Sequence, residues 1–584
     1  MKRTATALTF ALSLSLSAML PVALGAAVAS CADENDPATW VKRLDDPAQR
    51  ATAIKRLGQF YEDGMTKANK KHDDPDVKKL LDVMVDPMAK TYIAGTLDDK
   101  TRKDLMKELA DMRDVRAQSA FAKALGEYEF QKNDEDVKFA AGAITAMANS
   151  GTKFDQPTID ALWTCFGKYT PSKTNSIQGT TAIHDAILAL NDPSYGPKAV
   201  EKISAPVTLD DGTSAQGTKK VNDQLEFWQT TSIQLLKQQK FKGAVKALVA
   251  VMLTKNKLGL AALAQAALLK MPADAVPVLD AALAGKDADL AKLEADWGAD
   301  KAYIPNLMNV LSYTSLPAAR DAIYAAIPAL DNDTNKAGAA QSLIWFPVDA
   351  KLLDTYRTLY KGLPPIADKG DADTGAERAQ LLQVASEFYD PSLLPWALAE
   401  SKDCKGVNML SGKVGALQSA IKLMQPEQKQ LVADALKNLQ NAGLSVQEKK
   451  AVADQVQAVF DNAAAALDKC QKNTACYLGI LDEPIPSTPN ANWKPIKAAA
   501  MCGILGNEQT KKDLLAKLPK VKNPGARLAA TVAINHLSPM GDVAAADALD
   551  KIVQDDTDKK DTDGLKGDDA LVKVSAMLRA RAGK

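Results

Sequence analysis

Few residues in this chain are suited to acid–base chemistry near neutral pH. Three histidines occur in 584 residues: His72 in Lys70-Lys71-His72-Asp73-Asp74, His184 in Ile183-His184-Asp185 and His536 in Asn535-His536-Leu537. An imidazole changes charge in the physiological range, so each is a candidate general base. Each also has a plainer reading. His72 lies in a charged, exposed stretch, and His184 and His536 fall within helical patterns, where a satisfied polar side chain is commoner than a catalytic one. No Gly-x-Ser-x-Gly elbow, Gly-x-x-x-x-Gly-Lys loop, His-Glu-x-x-His helix or Cys-x-x-Cys pair occurs. These absences count against motifs local in sequence; the plentiful carboxylates leave a spatially assembled acid and base open. The reading is therefore a protein that is not an enzyme and takes no cofactor.

The nucleophiles that remain are six cysteines, at positions 31, 165, 404, 470, 476 and 502, and the first of them belongs to a leader. Residues 1–30 open on Lys2 and Arg3, continue in an apolar stretch from Ala5 to Leu20, and hold no acidic residue before Asp33. They end in Val28-Ala29-Ser30-Cys31, which resembles the lipobox of bacterial lipoproteins, except that Val28 stands where Leu is usual. The resemblance implies cleavage before Cys31, acylation of that cysteine and a membrane anchor there. Ala32 after the cysteine is similar to the signal of outer-membrane lipoproteins, facing the periplasm or the cell surface. The rival reading is ordinary cleavage after Ala27-Val28-Ala29, leaving a soluble secreted protein. Pro21 interrupts the apolar run and argues against an uncleaved anchor.

Export places the other thiols in an oxidising compartment. Cys470 and Cys476 bracket Gln471-Lys472-Asn473-Thr474-Ala475 and form the best disulfide candidate. Six residues along one helix would separate the sulfurs by about 9 Å of axial rise, so a bridge requires a turn, which Asn473 could supply. The alternative is two unpaired buried thiols. Cys165, Cys404 and Cys502 are an odd set, so one stays free, and Cys502 reads as a small core residue. No close pair of cysteines with a nearby histidine completes a zinc site. Two acidic stretches, Asp371-Ala372-Asp373-Thr374-Gly375 and Asp558 to Gly564, miss the glycine and glutamate positions of a calcium loop. They read as solvated charge, with no metal. Lysine plus arginine equals aspartate plus glutamate at 72 each, which gives no basic footprint for nucleic acid.

The elements that would carry these residues are helices. Apolar residues recur at helical spacing after Asp36, and no sustained period-two alternation marks a half-buried strand. Hydrophobic residues make up 46% of the chain but aromatics only 5%, alanine supplying runs such as Ala463-Ala464-Ala465-Ala466 that let helices pack closely. One helix type places a proline near its start, as in Ala275-Val276-Pro277, Tyr303-Ile304-Pro305 and Leu393-Leu394-Pro395. A second opens on a polar turn and a basic residue before alanines: Asp134 to Ala141 with Lys138, Asp333 to Ala340 with Lys336, Asn492 to Ala499 with Lys497, and Asn523 to Ala530 with Arg527. The two types resemble the first and second helices of HEAT repeats.

That resemblance implies an all-α fold, a right-handed α-α superhelix built as a solenoid of antiparallel helix pairs; an irregular helical bundle is the alternative. Turn-rich breaks divide the chain into a signal peptide (1–30), N-terminal repeats (31–205), a loop (206–221), central repeats (222–362), a loop (363–376), repeats with the Cys470–Cys476 corner (377–482) and C-terminal repeats (483–584). A fourth acidic break runs from Asp555 to Asp569. A solenoid offers one long concave surface for a protein or peptide partner, so the expected role is a non-catalytic protein-binding scaffold on the bacterial envelope. The alternative role is a structural spacer without a specific ligand. Exposed members among Trp228, Trp345, Trp396 and Trp493 would be contact residues, against a core role for each.

Overall fold

The computed structural model describes residues 33–169, 177–206, 209–213, 219–221, 223–298, 301–366, 375–403, 407–440, 444–484, 487–488, 490–559 and 568–583. The chain divides into two compact units, 1–124 and 125–584. The division falls inside the stretch 31–205 that sequence treats as one run of repeats.

The first unit holds α1 (Pro37–Lys42), α2 (Arg50–Lys67), α3 (Pro75–Ile93) and α4 (Asp99–Met112). Asp36, Asp74 and Asp98 cap α1, α3 and α4, each carboxylate accepting from first-turn amides that have no partner within the helix. Pro37 and Pro75 occupy first positions, where a missing N–H costs nothing. Ile54 and Leu57 of α2, Met84 and Met88 of α3, and Leu105 and Leu109 of α4 are fully buried.

In the second unit the order is α5 (Gln118–Gly126, which carries the division), α6 (Asp134–Asn149), α7 (Gln156–Lys168), α8 (Ile177–Leu190), α9 (Tyr195–Ser204), a hairpin of β1 (Leu209–Thr213) and β2 (Lys219–Val221), then α10 (Asp223–Gln239), α11 (Val245–Leu253), α12 (Ala261–Leu268), α13 (Pro272–Leu283) and α14 (Ala288–Ala295). There follow α15 (Ile304–Thr314), α16 (Pro317–Ala326), α17 (Asp333–Ser342), α18 (Ala350–Lys361), α19 (Ala376–Val384), α20 (Leu393–Asp403), α21 (Val407–Leu423), α22 (Lys429–Gln440) and α23 (Val446–Val452), which runs through a π-turn into α24 (Ala458–Cys470). The chain ends on α25 (Thr474–Ile480), α26 (Trp493–Leu505), α27 (Glu508–Lys517), α28 (Pro524–His536), α29 (Val543–Asp558) and α30 (Asp568–Arg581).

These helices stack as the repeat array that the sequence suggests: α6, α8 and α10 pack in succession, and so do α15, α17, α19 and α21, then α24, α26, α28 and α30, and most of them also pack against the helix just before or just after them in the chain. The inner row then closes, because α30 packs against α15 as well as α28. Small residues permit this closeness: Ala529, Ala530 and Ala533 of α28 are buried, and Gly503 of α26 leaves the space that the Tyr389 ring fills, where any Cβ would collide with it.

Several local expectations are corrected. The segment read as a loop at 206–221 contains the antiparallel hairpin, with Leu209 opposite Val221 and Thr213 opposite Lys219. Strands of 5 and 3 residues are too short to show a period. Pro277 lies inside α13 rather than at its start, which Pro272 occupies. The acidic break at 555–569 is helix at both of its ends: α29 continues to Asp558 and α30 begins at Asp568, and Asp556 and Asp568 are buried, 5% exposed each. Both reach Arg527 of the second-type motif, whose guanidinium is completely buried and lies 2.5 Å from Asp556 and 2.6 Å from Asp568. Its counterparts Lys138 and Lys336 instead pair with Glu135 and Asp333 of their own first turns. Asp371 and Asp373 lie outside the described residues.

The Cys470–Cys476 corner is a disulfide with its Cα atoms 5.3 Å apart. The chain turns because α24 ends at Cys470, Gln471 adopts positive φ, and the Asn473 side chain caps α25 by accepting from Cys476 N. A double substitution, Cys470→Ser with Cys476→Ser, should lower stability by about 2 kcal/mol in chemical denaturation, the chain-entropy value for so short a loop. Arg527→Met should cost about 3–5 kcal/mol, because it strands two buried carboxylates. Replacing Arg527, Asp556 and Asp568 together by apolar residues should recover most of that loss; an unchanged loss in the triple variant would show that charge stranding is not the cause.

Candidate functional site

A cavity of about 340 Å³ lies in the second unit where the inner row closes. Its wall is assembled from five places: the turn Phe346-Pro347-Val348, the turn Tyr389-Asp390-Pro391, Gly503 of α26, the end of α28 with Asn535 and His536, and Arg581 of α30. Tyr389 sits at φ +50, a conformation that costs a bulky residue of order 1–2 kcal/mol and that concentrates at functional positions. Three contacts hold it there. Its ring stacks on His536 at 5.1 Å, Lys422 Nζ lies 5.0 Å over the ring centre, and its hydroxyl donates to the Ala529 carbonyl at 2.8 Å. Asp390 then continues the turn by accepting from Ser392 N at 2.8 Å.

His536 Nε2 donates to the Glu387 carbonyl at 2.7 Å. A carbonyl can only accept, so that nitrogen carries the proton and Nδ1 is bare. Burial lowers the imidazole to about 4, with the Glu387 carbonyl bond opposing the shift; the ring is neutral at pH 7. Burial holds the Tyr389 phenol well above its ordinary range. The Glu387 carboxylate pairs with Lys422 Nζ at 2.7 Å. Arg581 reaches Asn535 Oδ1, Pro539 O at 3.5 Å and Met577 O at 3.5 Å. All of these are neutral oxygens, and among the described residues no carboxylate lies within ion-pair distance of Arg581. Burial lowers its guanidinium to about 10.

Of the histidines read as candidates, only His536 lines this cavity. His72 Nδ1 lies 3.1 Å from Tyr61 Oη in the first unit, the same hydroxyl donating to the Asp111 carbonyl. His184 Nδ1 meets Thr231 Oγ1 at 3.0 Å beside a shallow cavity of about 320 Å³. Burial lowers both imidazoles. The thiols of Cys165 and Cys502 are buried, and burial raises both, Cys502 to about 12. Cys31 and Cys404 lie outside the described residues. Trp228, Trp345, Trp396 and Trp493 are all half-buried, and the Trp228 indole donates to the Phe166 carbonyl at 2.6 Å. Among the described residues no group of histidine, cysteine and carboxylates is arranged to hold a metal, and no single helix is long and apolar enough to cross a membrane.

Sequence reasoning missed Tyr389, Asn535 and Arg581. The Tyr389-Asp390-Pro391 run carries a turn signal, but Arg581 reads as an ordinary basic residue in the last turn of a helix, and nothing local sets it apart.

No family model and no curated protein matches this chain. Among solved structures it is similar to Kap121p bound to RanGTP, at 12% identity and TM-score 0.34, over 93% of this chain and 74% of that one. It is also similar to importin beta in an ammonium sulfate condition, at 10% identity and TM-score 0.25, over 93% and 74%. A homology model of the full-length AP-3 complex matches at 12% identity and TM-score 0.26, over 94% and 92%.

The His536 environment makes a pH prediction. In the unfolded chain the imidazole takes its proton near pH 6.5, but in the folded one only near pH 4. The unfolded state therefore binds more protons in that window, and stability falls as pH drops through it. His536→Gln, which keeps a donor toward Glu387, should flatten that part of the stability curve measured by urea unfolding; an unaltered slope would refute the assignment.

Proposed function

We propose that this chain is a non-catalytic scaffold of helical repeats that binds a protein or peptide at the bacterial cell envelope, held there by an acylated Cys31. One observation carries the binding part: every imidazole and every described free thiol is spent on structure. The three histidines bond to a tyrosine hydroxyl, a threonine hydroxyl and a backbone carbonyl, and burial keeps Cys165, Cys502 and Tyr389 protonated. The cavity at the closure is left with a guanidinium, a carboxylate and apolar walls as its recognition groups. Recognition without turnover needs no more than fixed donors, acceptors and apolar walls. The anchor rests on the Val28-Ala29-Ser30-Cys31 sequence.

Two measurements test the reading. Growth with an alkyne-tagged fatty acid should label the wild-type chain and leave Cys31→Ala unlabelled; absence of label on the wild type would remove the anchor. Capture of the tagged full-length chain from solubilised envelopes should recover one partner at fixed stoichiometry, and recovery of none would favour a spacer that has no specific ligand.

A further inference from the structure

Most of the buried or half-buried arginines of this chain have anions for company. Arg527 has Asp556 and Asp568, Arg579 has Asp547 and Asp550, and Arg116 has Asp82 and Asp114. Arg50, Arg56, Arg378 and Arg581 bond only neutral oxygens, and of these four Arg581 is the one in the wall of this cavity. It is half-buried in the cavity wall and all its hydrogen bonds go to neutral oxygens, two of them at 3.5 Å. A guanidinium withdrawn from water without a counter-charge is costly, and its planar fork matches a carboxylate. Beside it the cavity offers apolar surface from Phe346, Pro347, Val348 and Pro391, suited to a hydrocarbon side chain. The other ionised wall residue, Asp390, has Oδ1 engaged by Ser392 N, and its negative charge disfavours a dianion such as phosphate.

We propose that this cavity is a recognition site for a peptide carboxylate flanked by an apolar side chain, with Arg581 as the group that binds the anion. The proposal rests on the binding role put forward above and names the chemistry of the partner. The carboxylate has two sources, a chain terminus or an internal aspartate or glutamate, and both present the same two oxygens to the guanidinium.

Three probes separate them in isothermal titration against the full chain: acetyl-Ala-Pro-Leu as the free acid, the same peptide as its amide, and acetyl-Ala-Asp-Leu amide. Binding of the free acid alone identifies a terminus, and binding of the aspartyl amide identifies a side chain. In either case the neutral amide stays unbound, and added salt weakens the complex. Arg581→Gln should weaken it about tenfold or more, as expected when a charge-assisted pair is lost, whereas Arg579→Gln, whose residue pairs with Asp547 and Asp550, should leave it unchanged. Thermal melting shows whether Arg581→Gln is folded, and Val348→Trp provides a second variant that blocks the cavity with Arg581 intact and should also abolish binding. Equal binding of acid and amide, full binding by either cavity variant, or no binding of any probe at millimolar concentration would overturn the proposal. Envelope capture that persists in Arg581→Gln would leave the scaffold role standing while removing this site from it.

Discussion

Every α-helix ends with carbonyl groups that have no partner of their own, and an array of short helices multiplies the problem. In the second unit the answer recurs: a side chain from a later element reaches back and donates to those carbonyls. The indoles of Trp228 and Trp297 bond Phe166 O and Leu253 O at the ends of α7 and α11, both at 2.6 Å. Lys257 reaches Ile203 O and Ala205 O after α9, and Arg378 reaches Lys361 O and Leu363 O after α18. Lys497 is fully buried with its ammonium on Lys422 O and Met424 O, the end of α21. Burial lowers the amines of Lys257 and Lys497, the first to about 8. The negative end of the helix compensates part of that cost, as a neutral carbonyl in a loop would not. Each such bond ties one layer to the next in a fixed register, which stacking of apolar faces alone would leave free to slide.

This tying decides what is left over for function. Donors that close helix ends are not free to meet a ligand, so Trp228, a contact candidate in a linear reading, is a structural fastener, as are Trp297, Lys257 and Lys497. His536 and Tyr389 belong to the same system, joining the turn after α19 to α28. The cavity they line is a by-product of that joint, and Arg581 is the member of its wall whose bonds leave a charge without an opposite.

How much of this could be read in advance follows from the range of the interactions. The helical period, the capping Asp and Asn residues, the position of Pro305 and the turn at Asn473 are local, and they are legible because their partners lie within four residues. The second-helix motif is legible as a pattern, yet its basic residue has three different fates. Lys138 and Lys336 pair with their own first turns, Lys497 closes a distant helix end, and Arg527 binds two carboxylates from a segment that looks like a solvated loop. The closure of α30 on α15, the pairing of Tyr389 with Ala529 and the isolation of Arg581 depend on residues scores of positions apart, and no spacing in the chain encodes them.

An open solenoid behaves as a spring, since each layer touches only its neighbours and small rotations add up along its length. The bond from Tyr389 to Ala529 and the return of α30 to α15 remove that freedom from the last half of this chain. A coil whose final turn is fastened to an earlier one cannot uncoil by sharing strain among its layers; tension concentrates at the fastening until it yields at once. Load carried through the described helices from α15 onward therefore meets a closed joint at Tyr389 and α30, where an open coil would have a free end.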